Sequence, residues 1–338
     1  MRIRNCFIAL PGVMLLLLPF GYISAQEVEQ TGKFEPSGSV YGKIFTNFNT
    51  SLQGSEKQTA FEVRRAYLGY EYFISPEFSA EIKLDIGSPN DAEYSLLRRF
   101  GYFKTAAVYY QLLENIKLTF GLQDAVQFKV QEKFWKRRYI AKPFMDVYNF
   151  GPSADIGAKA QLEMDFFDVD VAFFNGEGYS SLQNDDTFKG ALGITVYPVD
   201  GLVTRIYGDI SRKTVSQSTA VFFAGYSNKI FSFGGEYAMH WNREFQDNHD
   251  VYGFSITGDF LILPATRIFA RYDKIDSNIL SGESVPWNLA NDETGLIAGI
   301  EYIPIKNIKI AANYQDHYPA AKNAELASAL FLNIEASF

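Results

Sequence analysis

The chain has 338 residues, 47% of them hydrophobic and 16% aromatic, with a formal charge of −8. An acidic balance makes nucleic acid a poor partner. The one cysteine, Cys6, sits near the start, so the rest of the chain has no disulfide or thiolate chemistry.

In chain order, Arg2 and Arg4 precede an apolar run, Cys6 to Leu18, and Ile23-Ser24-Ala25 offers a small-residue cleavage site. This is the pattern of an export signal over 1–25, because about 13 apolar residues fall short of the roughly 20 needed to span a bilayer as a helix. Its removal leaves 29 cations against 39 acids, a formal charge of −10. A short N-terminal segment, 26–37, is expected on the periplasmic side before a barrel domain over 38–338.

From there the sequence alternates with a period of two. Phe78, Ala80, Ile82, Leu84 and Ile86 share one face, and Ser79, Glu81, Lys83 and Asp85 the other. Ile116, Leu118 and Phe120 alternate with Lys117, Thr119 and Gly121. Sixteen such strands are expected, at 38–48, 61–73, 77–87, 102–113, 116–125, 155–165, 168–176, 187–198, 202–212, 218–228, 230–241, 250–262, 266–275, 293–303, 307–316 and 324–338. Thr219–Ser227 alternates poorly.

Seven tight turns alternate with eight longer loops, as an even-stranded barrel with both termini at one end requires. The charged second face is too extensive for a dry sandwich core. The fold class expected is therefore all-β, a transmembrane antiparallel β-barrel with a greasy outside and a wet lumen. Ten cations (Lys43, Arg65, Lys83, Lys117, Lys159, Lys189, Arg205, Arg267, Arg271, Lys309) and ten acids (Glu71, Glu81, Asp85, Glu163, Asp170, Asp209, Glu236, Asp259, Asp273, Glu301) are expected inward. The wall alone thus has no preferred sign.

One loop stands apart. About 29 residues separate the strands ending near Ala125 and starting near Asp155, a length that usually has a function. From Gln127 to Ser153 it holds six cations, Lys129, Lys133, Lys136, Arg137, Arg138 and Lys142, against Glu132 and Asp146. Phe134, Trp135, Tyr139, Phe144, Tyr148 and Phe150 suit packing on a wall. Folded inward, such a loop would narrow the lumen and favour anions. A solvated basic loop touching lipopolysaccharide is the alternative.

No nucleophile, base and orienter converge in the sequence, so no enzyme and no cofactor is expected. His240, His249 and His317 all fall near the long-loop strand ends. A plugged, adhesive barrel is the rival class, and a barrel hydrolase a remote one.

Several segments resemble the phosphate-selective porin O and P family. They are Phe61-Glu62-Val63-Arg64-Arg65-Ala66-Tyr67-Leu68-Gly69, Tyr102–Tyr110 with Ile116–Gly121, Asp155-Ile156-Gly157-Ala158-Lys159, and Phe173-Phe174-Asn175-Gly176-Glu177-Gly178. Where the family reads Gly-Gln-Phe-Lys-x-Pro-Phe, this chain has Gly121-Leu122-Gln123-Asp124-Ala125-Val126. The resemblance implies a homotrimeric channel for small, phosphate-like anions but not phosphate specificity, since the phosphate-specific members line their pore with a ladder of arginines and this chain supplies mostly scattered Lys and few inward Arg. With the export signal and the barrel pattern, the outer membrane of a Gram-negative bacterium is the expected location, with lipid and lipopolysaccharide around the barrel. Separately, Leu326, Ser328, Leu330, Leu332, Ile334, Ala336 and Phe338 share one face, and a last strand of this type resembles the signal read by the barrel assembly machinery. Arg65 joins the six loop cations as the expected anion-binding constriction.

Overall fold

The computed structural model describes residues 34–52, 59–87, 100–183, 185–322 and 327–338. The expected signal segment, 1–25, lies outside the described residues, as does most of 26–37. Glu35–Phe338 forms one compact unit.

That unit is a closed barrel of sixteen strands, each hydrogen-bonded to its sequence neighbours, with β1 closing on β16. The first eight are β1 Ser37–Ser51, β2 Thr59–Phe73, β3 Phe78–Gly87, β4 Phe100–Leu113, β5 Ile116–Asp124, β6 Ala154–Glu163, β7 Phe167–Phe174 and β8 Lys189–Val196. The second eight are β9 Leu202–Arg212, β10 Ser216–Ser227, β11 Phe231–Trp241, β12 Val251–Leu263, β13 Thr266–Ser277, β14 Glu293–Ile305, β15 Ile308–Pro319 and β16 Ala327–Ser337. Each expected strand has its counterpart, with ends displaced by three residues at most.

The period of two sorts side chains between two environments. Ile82, Phe120, Ile206 and Phe222 point outward, and each is more than half exposed. Water would penalise so much exposed apolar surface, whereas hydrocarbon solvates it, and closure leaves no unpaired strand edge in lipid. The barrel is transmembrane. Among the inward residues, Asp85, Asp209, Arg205 and Arg271 are buried in ion pairs.

The seam closes on the last residue. Gly42 N–H donates to the Phe338 carbonyl at 2.9 Å, and Phe338 N–H returns a bond to Gly42 at 3.1 Å. The Phe338 ring occupies the space that a Cβ at Gly42 would need.

Two bulges alter the lumen face. Between β1 and β2, Phe45 pairs with Arg65 and Thr46 with Val63, which leaves Arg64 as the extra residue. Between β3 and β4, Lys83 pairs with Thr105 and Leu84 with Phe103, which leaves Lys104 extra. A bulge re-aims a side chain, and here both re-aimed residues are cations that reach inward.

The connection from β5 to β6 carries two short helices, α1 Lys129–Trp135 and α2 Phe144–Val147. Its six aromatics, Phe134, Trp135, Tyr139, Phe144, Tyr148 and Phe150, are all buried. They meet inward-facing apolar residues of the wall: Phe134 lies edge-on to Phe223 at 5.3 Å, and Trp135 to Phe269 at 6.1 Å. Two apolar clusters result, one including Val221, Tyr207 and Phe174, the other Phe45, Ile297 and Ala311. This explains the weak alternation of β10. Its lumen side holds Val221 and Phe223 because the loop covers them, so both of its faces are apolar.

Candidate functional site: a basic cavity beside the long loop

The wall holds the loop by its backbone as well as its rings. Arg205 donates to the Val126 carbonyl at 2.9 Å, Arg271 to Lys142 at 2.6 Å, Arg64 to Ile140 at 3.1 Å, and Lys309 to Lys136 at 3.2 Å. A loop packed inside a barrel has carbonyls without sheet partners, and these donors satisfy them. Three of the donors also face a carboxylate: Arg205 with Asp170, Arg271 with Asp273, and Lys309 with Glu335. Wall charges counted as lumen charges from the sequence are therefore largely spent on anchoring and on one another.

The loop's own cations divide the same way. Arg137 is 2% exposed, with Asp259 at 3.1 Å and Glu301 at 2.8 Å. Glu301 also accepts from the Tyr139 hydroxyl at 2.9 Å, and Asp259 from Ser232 and Arg267. Arg137 thus departs from the expected lumen-facing set, since a guanidinium fork satisfied by two buried carboxylates has nothing left for a passing ion. Arg138 pairs with Asp146 at 2.7 Å and Glu132 at 3.2 Å. Lys142 reaches Asp146 at 3.4 Å, and Lys129 reaches Asp124 at 3.1 Å and Glu132 at 3.3 Å. Burial would raise the Asp146 carboxyl, but Arg138 and Lys142 outweigh it and hold it below the usual carboxylate range. Arg65 lies 3.0 Å from Asp85.

Lys133 and Lys136 remain. Both are exposed, and neither has an ion-pair partner among the described residues. Their position follows from α1. Phe134 and Trp135 turn one side of the helix to the wall, which leaves Lys133 facing open space. Lys136 ends the helix in the left-handed region, φ 61°, its N–H still bonded to the Glu132 carbonyl at 3.1 Å. A left-handed residue stops a helix and redirects its side chain. Here the Nζ comes within 3.4 Å of Ser227 Oγ. Enclosure by the barrel lowers the Lys136 ammonium below the ordinary lysine value; Arg267 and Arg137 add to this, and Asp259 and Glu301 oppose it.

Two cavities flank α1, and both are lined by Asp124, Lys129, Lys133 and Lys136. The one of about 460 Å³ against β6–β10 is nearly balanced, with Lys159 and Arg205 against Glu163, Asp168 and Asp170. The one of about 430 Å³ against β1–β5, β15 and β16 holds eight cations and three carboxylates. Lys43, exposed on β1 and without an ion-pair partner among the described residues, faces Lys133 and Lys136 across this second cavity. Lys104 lines it too, buried on Ser153 with its Nζ 4.1 Å from the Tyr179 ring centroid. Strand parity placed Lys43 in the lumen but did not single it out. Lys104 was missed because only the register reveals the bulge.

Three uncompensated ammonium groups around one water-accessible space lower the electrostatic cost for an anion there and raise it for a cation. The histidines are dispersed: His240 is buried against Thr219, His249 packs on Trp287, and His317 meets Glu293 at 2.9 Å. No group of three or more metal-ligating side chains occurs among the described residues.

No family model matches the sequence, and no curated protein matches it. Solved structures do match in fold. Similar to this chain are OmpF of Salmonella typhi in complex with daunomycin (12% identity, 89% of this chain and 97% of that one, TM-score 0.68) and the anion-selective porin from Comamonas acidovorans (11%, 90% and 100%, TM-score 0.66). OmpT of Vibrio cholerae matches over 91% and 99% at 14% identity, with a TM-score of 0.62. At such identities the likeness is one of architecture, and the architecture is that of bacterial porins.

Proposed function

We propose that this protein is an outer-membrane porin, a passive diffusion channel for small hydrophilic solutes that favours anions. The observation that carries the reading is the cavity of about 430 Å³ in which Lys43, Lys133 and Lys136 stand without ion-pair partners among the described residues. The barrel sits in the outer membrane of a Gram-negative bacterium, surrounded by lipid and lipopolysaccharide, its long loops outward. The porin architecture supports that placement, and the anion-selective neighbour from Comamonas agrees with the sign of the lysine cluster. The export signal over 1–25, the homotrimer and the reading of the last strand by the barrel assembly machinery belong to the same proposal and rest on the sequence.

Selectivity here is electrostatic, with no chemical step. An ammonium group in a space walled by protein is screened less than in bulk water, so three of them favour anions through the narrowed region. Phosphate-like preference of the O and P type would draw on the same three groups together with the ion-paired Arg138 and Arg65.

The test is the reversal potential of purified protein in a planar bilayer under a potassium chloride gradient. The proposal expects anion preference, reduced step by step in Lys43→Gln, Lys133→Gln and Lys136→Gln and nearly abolished in the triple variant. A cation-preferring pore, or a triple variant indistinguishable from the parent, contradicts it.

A further inference from the structure

The basic cavity has a second wall that inorganic anions do not need. On the same wall as Lys43, which pairs in register with Tyr67, and facing the loop that carries Lys133 and Lys136, stand Tyr41 and Tyr67, each partly exposed, with Phe45 edge-on to Tyr67 at 5.7 Å. Tyr41 is held rigidly. It pairs in register with Gly69, and a Cβ at Gly69 would collide with the Tyr41 ring, so one side of the ring rests on the Gly69 backbone. The hydroxyl of Tyr41 donates to Glu81, which also accepts from Tyr109 at 2.7 Å and lies 3.6 Å from Lys83. The ring is fixed at both ends, and the Glu81 charge that fixes it is itself compensated.

A ring seated over glycine presents its other side to the cavity, and the cavity is the one holding Lys43, Lys133 and Lys136. Its volume, about 430 Å³, is in the range that accommodates an organic molecule and far exceeds the needs of a bare ion. We propose that this cavity is a binding station for ring-bearing carboxylates, the carboxylate held by the lysines and the ring packed on Tyr41 and Tyr67. This rests on the anion-channel reading and narrows its solute class. Aromatic contacts of this kind contribute about 0.5–1.5 kcal/mol, which converts to an affinity gain of roughly 2- to 10-fold over an aliphatic carboxylate.

The experiment measures chloride current through single channels while benzoate or acetate is added to one side. Benzoate is expected to reduce the current saturably, at a half-blocking concentration about 2- to 10-fold below that of acetate. Benzyl alcohol, which has the ring but no charge, is expected to do neither. Tyr41→Phe should keep the preference and Tyr41→Leu should lose it, both with unchanged reversal potential in potassium chloride. Tyr67→Leu gives an independent arm if Tyr41→Leu assembles poorly. Equal block by benzoate and acetate, or a preference untouched in both leucine variants, overturns the station and leaves anion selectivity standing. A cation-selective parent pore overturns the anion-channel reading on which the station rests.

Discussion

The Arg137 guanidinium lies 2.8 Å from the Glu301 carboxylate, joining the middle of the long loop to β14 deep inside the barrel. Asp259 of β12 takes the other side of the fork at 3.1 Å, and the Phe269 ring lies 4.8 Å from the guanidinium carbon. The most buried cation of the long loop is therefore a rivet, while its less buried neighbours Lys133 and Lys136 face the water. Whether a charge serves attachment or permeation depends on its partners.

Arg137→Met should accordingly destabilise the protein and leave selectivity nearly intact. Removing one member of a buried ion pair costs about 3–5 kcal/mol, because the remaining carboxylates lose their compensation. Asp259 keeps Arg267 and Ser232, and Glu301 keeps Tyr139, so the lower end applies. Denaturant unfolding of the detergent-folded barrel should show the loss, and single-channel records should show added noise from a loosened loop. Glu301→Gln in the same chain should recover part of the stability. If Arg137→Met instead removed anion preference as fully as Lys133→Gln with Lys136→Gln, Arg137 would have to be a lumen charge.

The lowered Lys136 ammonium fixes the direction of a pH effect. The group carries its charge below its pKa and is neutral above it. Enclosure, with Arg267 and Arg137 adding, places that pKa below the ordinary lysine value, which is about 10.4. Anion preference should therefore weaken as the bath is made alkaline, before free lysines titrate. Lys136→Arg should hold the preference flat over the same range, because a guanidinium stays charged. Reversal potentials measured from neutral to about pH 10 decide the matter. A parent and a Lys136→Arg variant with identical profiles would mean that Lys136 carries none of the selectivity.

Sequence reading succeeded where one physical variable decided the outcome. Lipid outside and water inside impose a period of two, so Ile82 against Lys83 and Phe120 against Thr119 already located the wall. The reading failed where the outcome depended on partners distant in sequence. Nothing near Arg137 signals that Asp259 and Glu301, 122 and 164 positions away, will neutralise it. Nor does parity reveal a bulge, since Arg64 and Lys104 face inward only because β2 and β4 each carry one residue more than their neighbours. The dry patch on β10 was illegible for the same reason: its cover, Phe134, comes from another part of the chain.

The aromatic terminus, proposed above as an assembly signal, sits on the barrel seam, so that proposal can be separated from a mechanical role. Phe338 exchanges two backbone hydrogen bonds with Gly42 and lays its ring over it, on the seam where β1 meets β16. Each bond contributes about 0.5–1.5 kcal/mol net. Deleting Phe338 should lower the temperature at which the folded barrel loses its fast mobility in detergent gels, and also lower assembly yield. Gly42→Ala leaves the terminal residue in place but displaces its ring, since a Cβ there would collide with it. It should reproduce the fall in melting temperature while assembly yield stays near that of the parent. If Gly42→Ala melts with the parent protein, the seam does not depend on the Phe338 ring.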